Sequence, residues 1–274
     1  MEGFPAVDIR RADDVRRLLG AAAPDELYYL AAYHQSSEDR PVETQDLLLT
    51  SFAINTLGLV NVLAAMQTQA PAARLFYAAS SHAFGYPAGP VQDETTPFNP
   101  VSPYGISKAA GIQVCRYFRS DRAVFASAGI LYNHESPLRP PNFLSRKIVR
   151  AAVRISKGRQ DKVSVGDLDA LVDWGYAPDY VEAMWKVLQL EQPDDFIIAS
   201  GALHSVRDLA QIVFELVGLD WRDFVVVDPT LVTTRPSPVL HGRIDKIRRL
   251  TGWQPTTSFR QMLEEMVESD LSHG

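Results

Sequence analysis

The chain of 274 residues has a single cysteine, Cys115, so it can form no disulfide within itself and no cysteine-based metal site. That usage fits a reducing, cytoplasmic setting. No run of eighteen apolar residues occurs, and the N-terminal "MEGFPAVDIRR" has no apolar stretch of signal-peptide length. No membrane span and no membrane partner are therefore expected. Blocks of like charge are missing too. With 27 Lys and Arg against 33 Asp and Glu, the net charge of −6 argues against nucleic acid as a partner. Glycine is scarce early on. Only Gly3 and Gly20 precede Gly58, so this stretch holds no glycine-rich turn of the kind that lets a backbone approach a pyrophosphate.

What remains is ordinary globular material, 46% hydrophobic and 22% charged, enough for a sizeable core. No internal repeat or low-complexity linker breaks it. "ADDVRRLLGAAAPDE" reads as a short helix ending near Gly20 and Pro24. Compact apolar runs of strand length follow at "ELYYLAA" (26–32), "RLFYAAS" (74–80) and "VFASAGILYN" (124–133). Between them lie a long helical pattern over 43–69 and a helix opening at "SPYGISK". Strand, helix, strand, helix, strand at this spacing predicts three adjacent parallel strands in an open α/β sheet. Beyond Asn133 the rhythm changes. Helical patterns recur at "NFLSRKIVRAAVRISKG", "DYVEAMWKVLQL", "VRDLAQIVFELVG" and "SFRQMLEEMVESDL", with one strand at "FIIAS". The division expected is a sheet domain over 1–135 and a mixed region over 136–274 that contains a small substrate lobe.

Within "SPYGISK", Tyr104 and Lys108 stand four residues apart and project from one face of a helical turn. An ammonium beside a phenol favours the phenolate and is expected to lower its pKa. Such a pair is useful where a hydride is exchanged, and nicotinamide is the usual agent. The strand at 74–80 ends in Ser80 and Ser81, where the crevice of an open parallel sheet lies. Serine, tyrosine and lysine are expected to converge there. A serine hydroxyl can hold a substrate oxygen while the tyrosine exchanges its proton.

"DELYYLAA", "FYAASS", "ETTPFNPVSPYGISK", "GILYNHESPLRPPNFLSRKI", "DWGYAPDYVEAMW" and "HSVRDL" resemble the GDP-mannose 4,6-dehydratases, of the extended short-chain dehydrogenase/reductase group. The likeness runs nearly end to end. It implies a Rossmann-like parallel sheet, a C-terminal nucleotide-sugar lobe, NADP (or NAD) as cofactor and GDP-mannose as the foremost substrate. The implied reaction oxidises the sugar at C4, eliminates water across C5–C6 and returns the hydride to C6. Carried over residue by residue, Ser80 matches the catalytic serine or threonine, with Ser81 as the alternative, and Tyr104 and Lys108 match the tyrosine and lysine. Asn133 and Lys147 match positions facing the GDP-sugar, and Arg235 matches an arginine near the nucleotide. Asp8 and Ile9 match the loop that brackets the adenine, with Lys108 also on the cofactor side.

The departures from that family are as informative. If Asp8 is the adenine-loop aspartate, the first strands and the glycine-rich turn are lacking, and NADP binding is expected to be weak. The family's glutamate, base for the C5 proton, falls on His82, which is either a substituted base or a polar loop residue. The arginine before "DWG" is Val172, and an acidic residue expected after Arg235 is Pro238. Other residues have plainer readings. His34, after a strand, could line the same crevice but reads mainly as a loop residue, and His134 and Glu135 read as shaping the "NHESP" turn. "SRKIVRAAVRISKGR" reads mostly as a solvated helix face, with Lys147, and Arg146 beside it, the candidates for ligand contact. Tyr117, Tyr132, Trp174 and Trp185 read as packing residues. The resemblance also implies a homodimer paired through helices at 43–66 and 104–119, with Leu48, Phe52, Ile112 and Cys115 as candidate contacts. Two functions stay open: a nucleotide-sugar dehydratase, or a non-catalytic or cofactor-independent descendant that binds a nucleotide sugar or completes a partner.

Overall fold

A computed structural model describes residues 6–34, 43–231 and 238–273. In chain order the elements are α1 (Ala12–Ala22), β1 (Glu26–Tyr29), α2 (Thr44–Phe52), α3 (Gly58–Gln69), β2 (Arg74–Ala78), α4 (Pro103–Arg122), β3 (Phe125–Leu131) and β4 (Asn133–Glu135). There follow α5 (Leu144–Ser156), β5 (Val163–Val165), β6 (Leu171–Tyr176), α6 (Ala177–Leu188), β7 (Asp195–Ile198), β8 (Leu203–Ser205), α7 (Val206–Leu216), β9 (Val225–Val227), α8 (Asp245–Thr251) and α9 (Phe259–His273).

The main sheet runs β1-β2-β3-β7, every pair parallel, with Tyr29 opposite Tyr77 and Ala78 opposite Gly129. The three expected strands are thus neighbours, in the order expected. Both faces of β2 are buried. Leu75 and Tyr77 point into a core with Leu59, Leu63 and Ile112, while Phe76 and Ala78 point into one with Tyr180, Phe196 and Trp253. That two-sided burial is why the parallel strands read as continuous apolar runs. The second half builds a lobe around α5, α7 and α9, whose core includes Ile148, Leu209, Phe214, Leu263 and Met266. Two small sheets, β4-β6-β8 and β5-β9, edge this lobe.

One expectation needs correcting. Ile112 and Cys115 are fully buried inside the chain, so they are core residues and not contacts to a second copy. Helix α4 is apolar on more than one stripe because it packs on both the sheet and the α2–α3 helices. Trp185 and Tyr117 pack at edges, about half exposed at 52% and 47%. The helical stretch Thr44–Gln69 is also long and apolar enough, by length and composition, to cross a membrane, with a mean hydropathy of 1.8. Its Leu59, Leu63 and Met66 are buried in the sheet's core, as in the core helix of a water-exposed domain.

A π turn over Ala53–Leu57 joins α2 to α3. Such turns free carbonyl groups and need other partners for them. Here Tyr29 Oη donates to the Ile54 carbonyl at 2.5 Å and Tyr77 Oη to the Asn55 carbonyl at 3.1 Å. Helix α4 is fixed at its far end by buried Asp195, which accepts from Arg116 at 2.6 Å and Arg119 at 2.9 Å.

Candidate active site

The strand ends dictate where the chemistry gathers. Strand β2 finishes at Ala78, and Ser80 then caps a 3-10 turn over Ser81–Ala83, its Oγ accepting from the His82 amide at 3.2 Å. Ser102 caps α4 by accepting from the Gly105 amide, with Pro103 at the first helical position. Gly105 lets α4 start close to the turn: a Cβ there would lie 2.5 Å from the His82 carbonyl oxygen. The Ser80 side chain is thereby set beside the Tyr104 phenol, where it favours the ionised form. Ser81 is buried and makes no part of this contact, so of the two serines it is Ser80 that meets the tyrosine.

Lys108 is buried one turn deeper. Its Nζ donates to the Ala78 carbonyl at 2.6 Å and lies 5.7 Å from the centre of the Tyr104 ring. The expected electrostatics are reversed here. Burial pushes the Tyr104 phenol up, offset in part by the Ser80 hydrogen bond and by the Arg139 charge. Burial also lowers Lys108 to about 7, since the ammonium is far from water and faces no carboxylate in its immediate shell. Desolvation is the leading cause of both shifts.

Two imidazoles flank the tyrosine. His82 is T-shaped to the Tyr104 ring at 5.8 Å between centroids, and His34 is edge-on at 4.5 Å. His34 is therefore more than a loop residue: it stacks on Phe143 at 5.7 Å, and the Arg139 guanidinium sits 3.6 Å above the Phe143 ring. His82 presents its ring to the crevice while protein surrounds its other sides, and that desolvation lowers its pKa. The neutral imidazole, the form able to accept a proton, is thereby favoured near neutral pH.

Two residues of this site escaped sequence reasoning. Asn55, in the π turn, accepts from the Tyr33 amide at 2.8 Å and donates to the Tyr33 carbonyl and to Ser107 Oγ. It thus ties the segment carrying His34 to the helix carrying Tyr104. The signal was an asparagine, one of two with Asn61, inside the apolar middle of the helical pattern. Arg139, held 3.3 Å from buried Glu135, supplies positive charge to the crevice wall. His134 does shape its turn, with Nδ1 2.8 Å from the Tyr132 carbonyl oxygen.

The remaining candidates lie further out. Asn133 opens β4, and its carbonyl accepts a 3.5 Å bond from Tyr180 Oη. Lys147, in the first turn of α5, acts electrostatically on Asp228, just before the segment that contains Arg235. Arg235 lies outside the described residues. Ile9 packs against Gly58 and the core, and the Asp8 carboxylate is engaged by Arg10 at 2.6 Å, which holds it at about 2.

A nicotinamide dinucleotide fits one end of this arrangement. Tyr104, Lys108 and Ser80 stand where a nicotinamide ribose and a sugar hydroxyl could meet, off the carboxyl ends of β1 and β2. At the other end, the described residues ahead of β1 hold α1 but no glycine-rich strand–turn–helix to meet a pyrophosphate.

Comparison with known proteins agrees with this geometry. The family model for GDP-mannose 4,6 dehydratase matches residues 3–266. GDP-mannose 4,6 dehydratase 1 of Arabidopsis thaliana is 39% identical over 272 residues, covering 96% of this chain and 73% of the relative. The Homo sapiens GDP-mannose 4,6 dehydratase is 35% identical over 281 residues, covering 93% and 72%. Among solved structures, RMD from Pseudomonas aeruginosa complexed with NADPH superposes with a TM-score of 0.88 at 22% identity, over 98% of this chain and 89% of that one.

Proposed function

Because this chain belongs to the GDP-mannose 4,6-dehydratase family, we propose that it is a nucleotide-sugar dehydratase, with GDP-mannose as substrate and NADP as cofactor. The observation that carries this reading is Ser80 beside the Tyr104 phenol with Lys108 buried near both at the strand ends. When bound, the dinucleotide supplies the hydride acceptor and donor. The chain's own residues do the rest. Ser80 holds the sugar's C4 oxygen, and Tyr104 takes the proton of that hydroxyl as C4 becomes a ketone; that proton leaves with the C6 hydroxyl as water. Lys108, able to gain or lose a proton near neutral pH, balances charge beside the phenol. His82, neutral and facing the crevice, replaces the family's glutamate as base for the C5 proton. Asn133, Lys147 and Arg235 hold the nucleotide-sugar end, and Asp8 and Ile9 the adenine end.

The test is an incubation with GDP-mannose and millimolar NADP, read by mass spectrometry. A nucleotide sugar lighter by one water is expected. Binding of GDP-mannose without that product would favour the second reading, a nucleotide-sugar binder without turnover, for which the glycine-poor stretch ahead of β1 already speaks. Absence of both would sink the nucleotide-sugar assignment.

A homodimer is part of the proposal, on revised contacts. Leu49 and Leu57 on the α2–α3 helices and Ile106 and Tyr117 on α4 are exposed apolar side chains, beside the half-buried Leu48 and Phe52. Sedimentation at micromolar concentration should return twice the chain mass, and a monomer would remove this pairing. A cytoplasmic setting belongs to the same reading, since Cys115 is buried and unpaired.

A further inference from the structure

The second lobe contains a recess that the proposed reaction does not use. It is a cleft of about 460 Å³ between α5 and α9, lined by Arg146, Arg150, Arg154, Lys157 and Arg159 against one carboxylate, Asp270. None of the residues around Tyr104 lines it. Five cations and one anion leave four net positive charges in one recess of a chain whose overall charge is −6.

A solvated helix face accounts for only part of this. Arg154 and Lys157 stand at the C-terminal end of α5, where cations suit the helix dipole. Arg146 and Arg150 stand in its first half, where they do not. Arg146, Arg150 and Arg154 also repeat every four residues, which stacks like charges along one face and costs helix stability. The opposite face, with Ile148, Val149, Ala152 and Ile155, is buried in the lobe's core, so α5 cannot turn to spread these charges. Arg146 adds a second observation. Its Nη2 is held by Asp270 at 2.5 Å, while its Nη1 is buried with no hydrogen-bond acceptor among the described residues. An unmet donor on a charged group is costly, so Arg146 carries a charge that the lobe itself only partly satisfies.

We propose that this cleft binds a linear polyphosphate, either the phosphate chain of a nucleoside triphosphate or inorganic polyphosphate. The three arginines span about 12 Å of helix at 1.5 Å per residue. One phosphate cannot meet all three, whereas a chain of phosphates can run along them, taking forked guanidinium contacts in turn.

Calorimetric titration with tripolyphosphate, and in parallel with ATP, tests this on the full chain. Tripolyphosphate should bind saturably, and more weakly as salt rises. The double substitution Arg150→Glu with Arg154→Glu alters two exposed side chains. It should weaken binding at least about tenfold, the loss of two charge-assisted contacts. Arg150→Gln with Arg154→Gln, which adds no negative charge, should show the same loss in lesser degree. Circular dichroism checks that each variant keeps its helices. GDP-mannose binding in the crevice should not move, which separates failure here from failure of the proposed function. Equal affinities for ATP and tripolyphosphate would make the phosphate chain the whole determinant. Tighter ATP would identify the source as a nucleotide. Absence of tripolyphosphate binding up to millimolar concentration, unchanged affinity in the double variants, or stronger competition by DNA would each overturn the proposal.

Discussion

Replacing Tyr104 by phenylalanine is expected to lower turnover of the nucleotide sugar by roughly 10²–10⁴-fold, the usual contribution of a positioned acid–base group. The substitution keeps the ring, and with it the edge contacts to His34 and His82, so folding should change little. It removes the phenol hydroxyl that stands beside Ser80. Affinity for GDP-mannose should stay within a few-fold, because the nucleotide end is held by other residues. The loss therefore falls on kcat, measured at saturating sugar and millimolar NADP. A variant that turns over as fast as the parent chain would remove Tyr104 from the chemistry.

The sheet could be read from the sequence because its parallel strands are buried on both faces. "RLFYAAS" and "VFASAGILYN" are apolar runs for that reason, and the helices between them keep their period. The convergence of Ser80 with Tyr104 was legible too, as it follows from where a strand ends and a helix begins. Strands β4, β5 and β8 were not, for three residues are too few to show any alternation. Charge states depend on burial, which spacing does not report. Lys108 four residues after Tyr104 suggested a lowered phenol, yet both groups lie out of water and the phenol is raised. That His34 could line the crevice was legible, but its stacking on Phe143 was not, because Phe143 comes from a distant loop. Arginines at a four-residue interval looked like a solvent face until α9 placed Asp270 opposite them.

The second large effect concerns the cofactor. The nicotinamide end of the site is built, with Lys108 buried beside Tyr104. For the pyrophosphate, the described residues ahead of β1 hold no glycine-rich strand–turn–helix. In the usual fold that turn presents free amides and a favourable dipole to the anion. The dipole interaction alone is worth up to about 2 kcal/mol. At about 1.4 kcal/mol per decade, its loss together with the amide contacts weakens binding well beyond tenfold. Ser80, Tyr104 and Lys108 nonetheless gather at the strand ends, so on the proposed function hydride chemistry should appear once the cofactor is driven on by concentration or completed by another chain.

Calorimetric titration of the purified 274-residue chain with NADP tests this account most directly. It predicts little heat at micromolar NADP and saturation only toward millimolar, with tightening if a second polypeptide supplies a glycine-rich turn. A micromolar dissociation constant for the chain alone would contradict it, and would mean that the residues ahead of β1 hold the pyrophosphate after all.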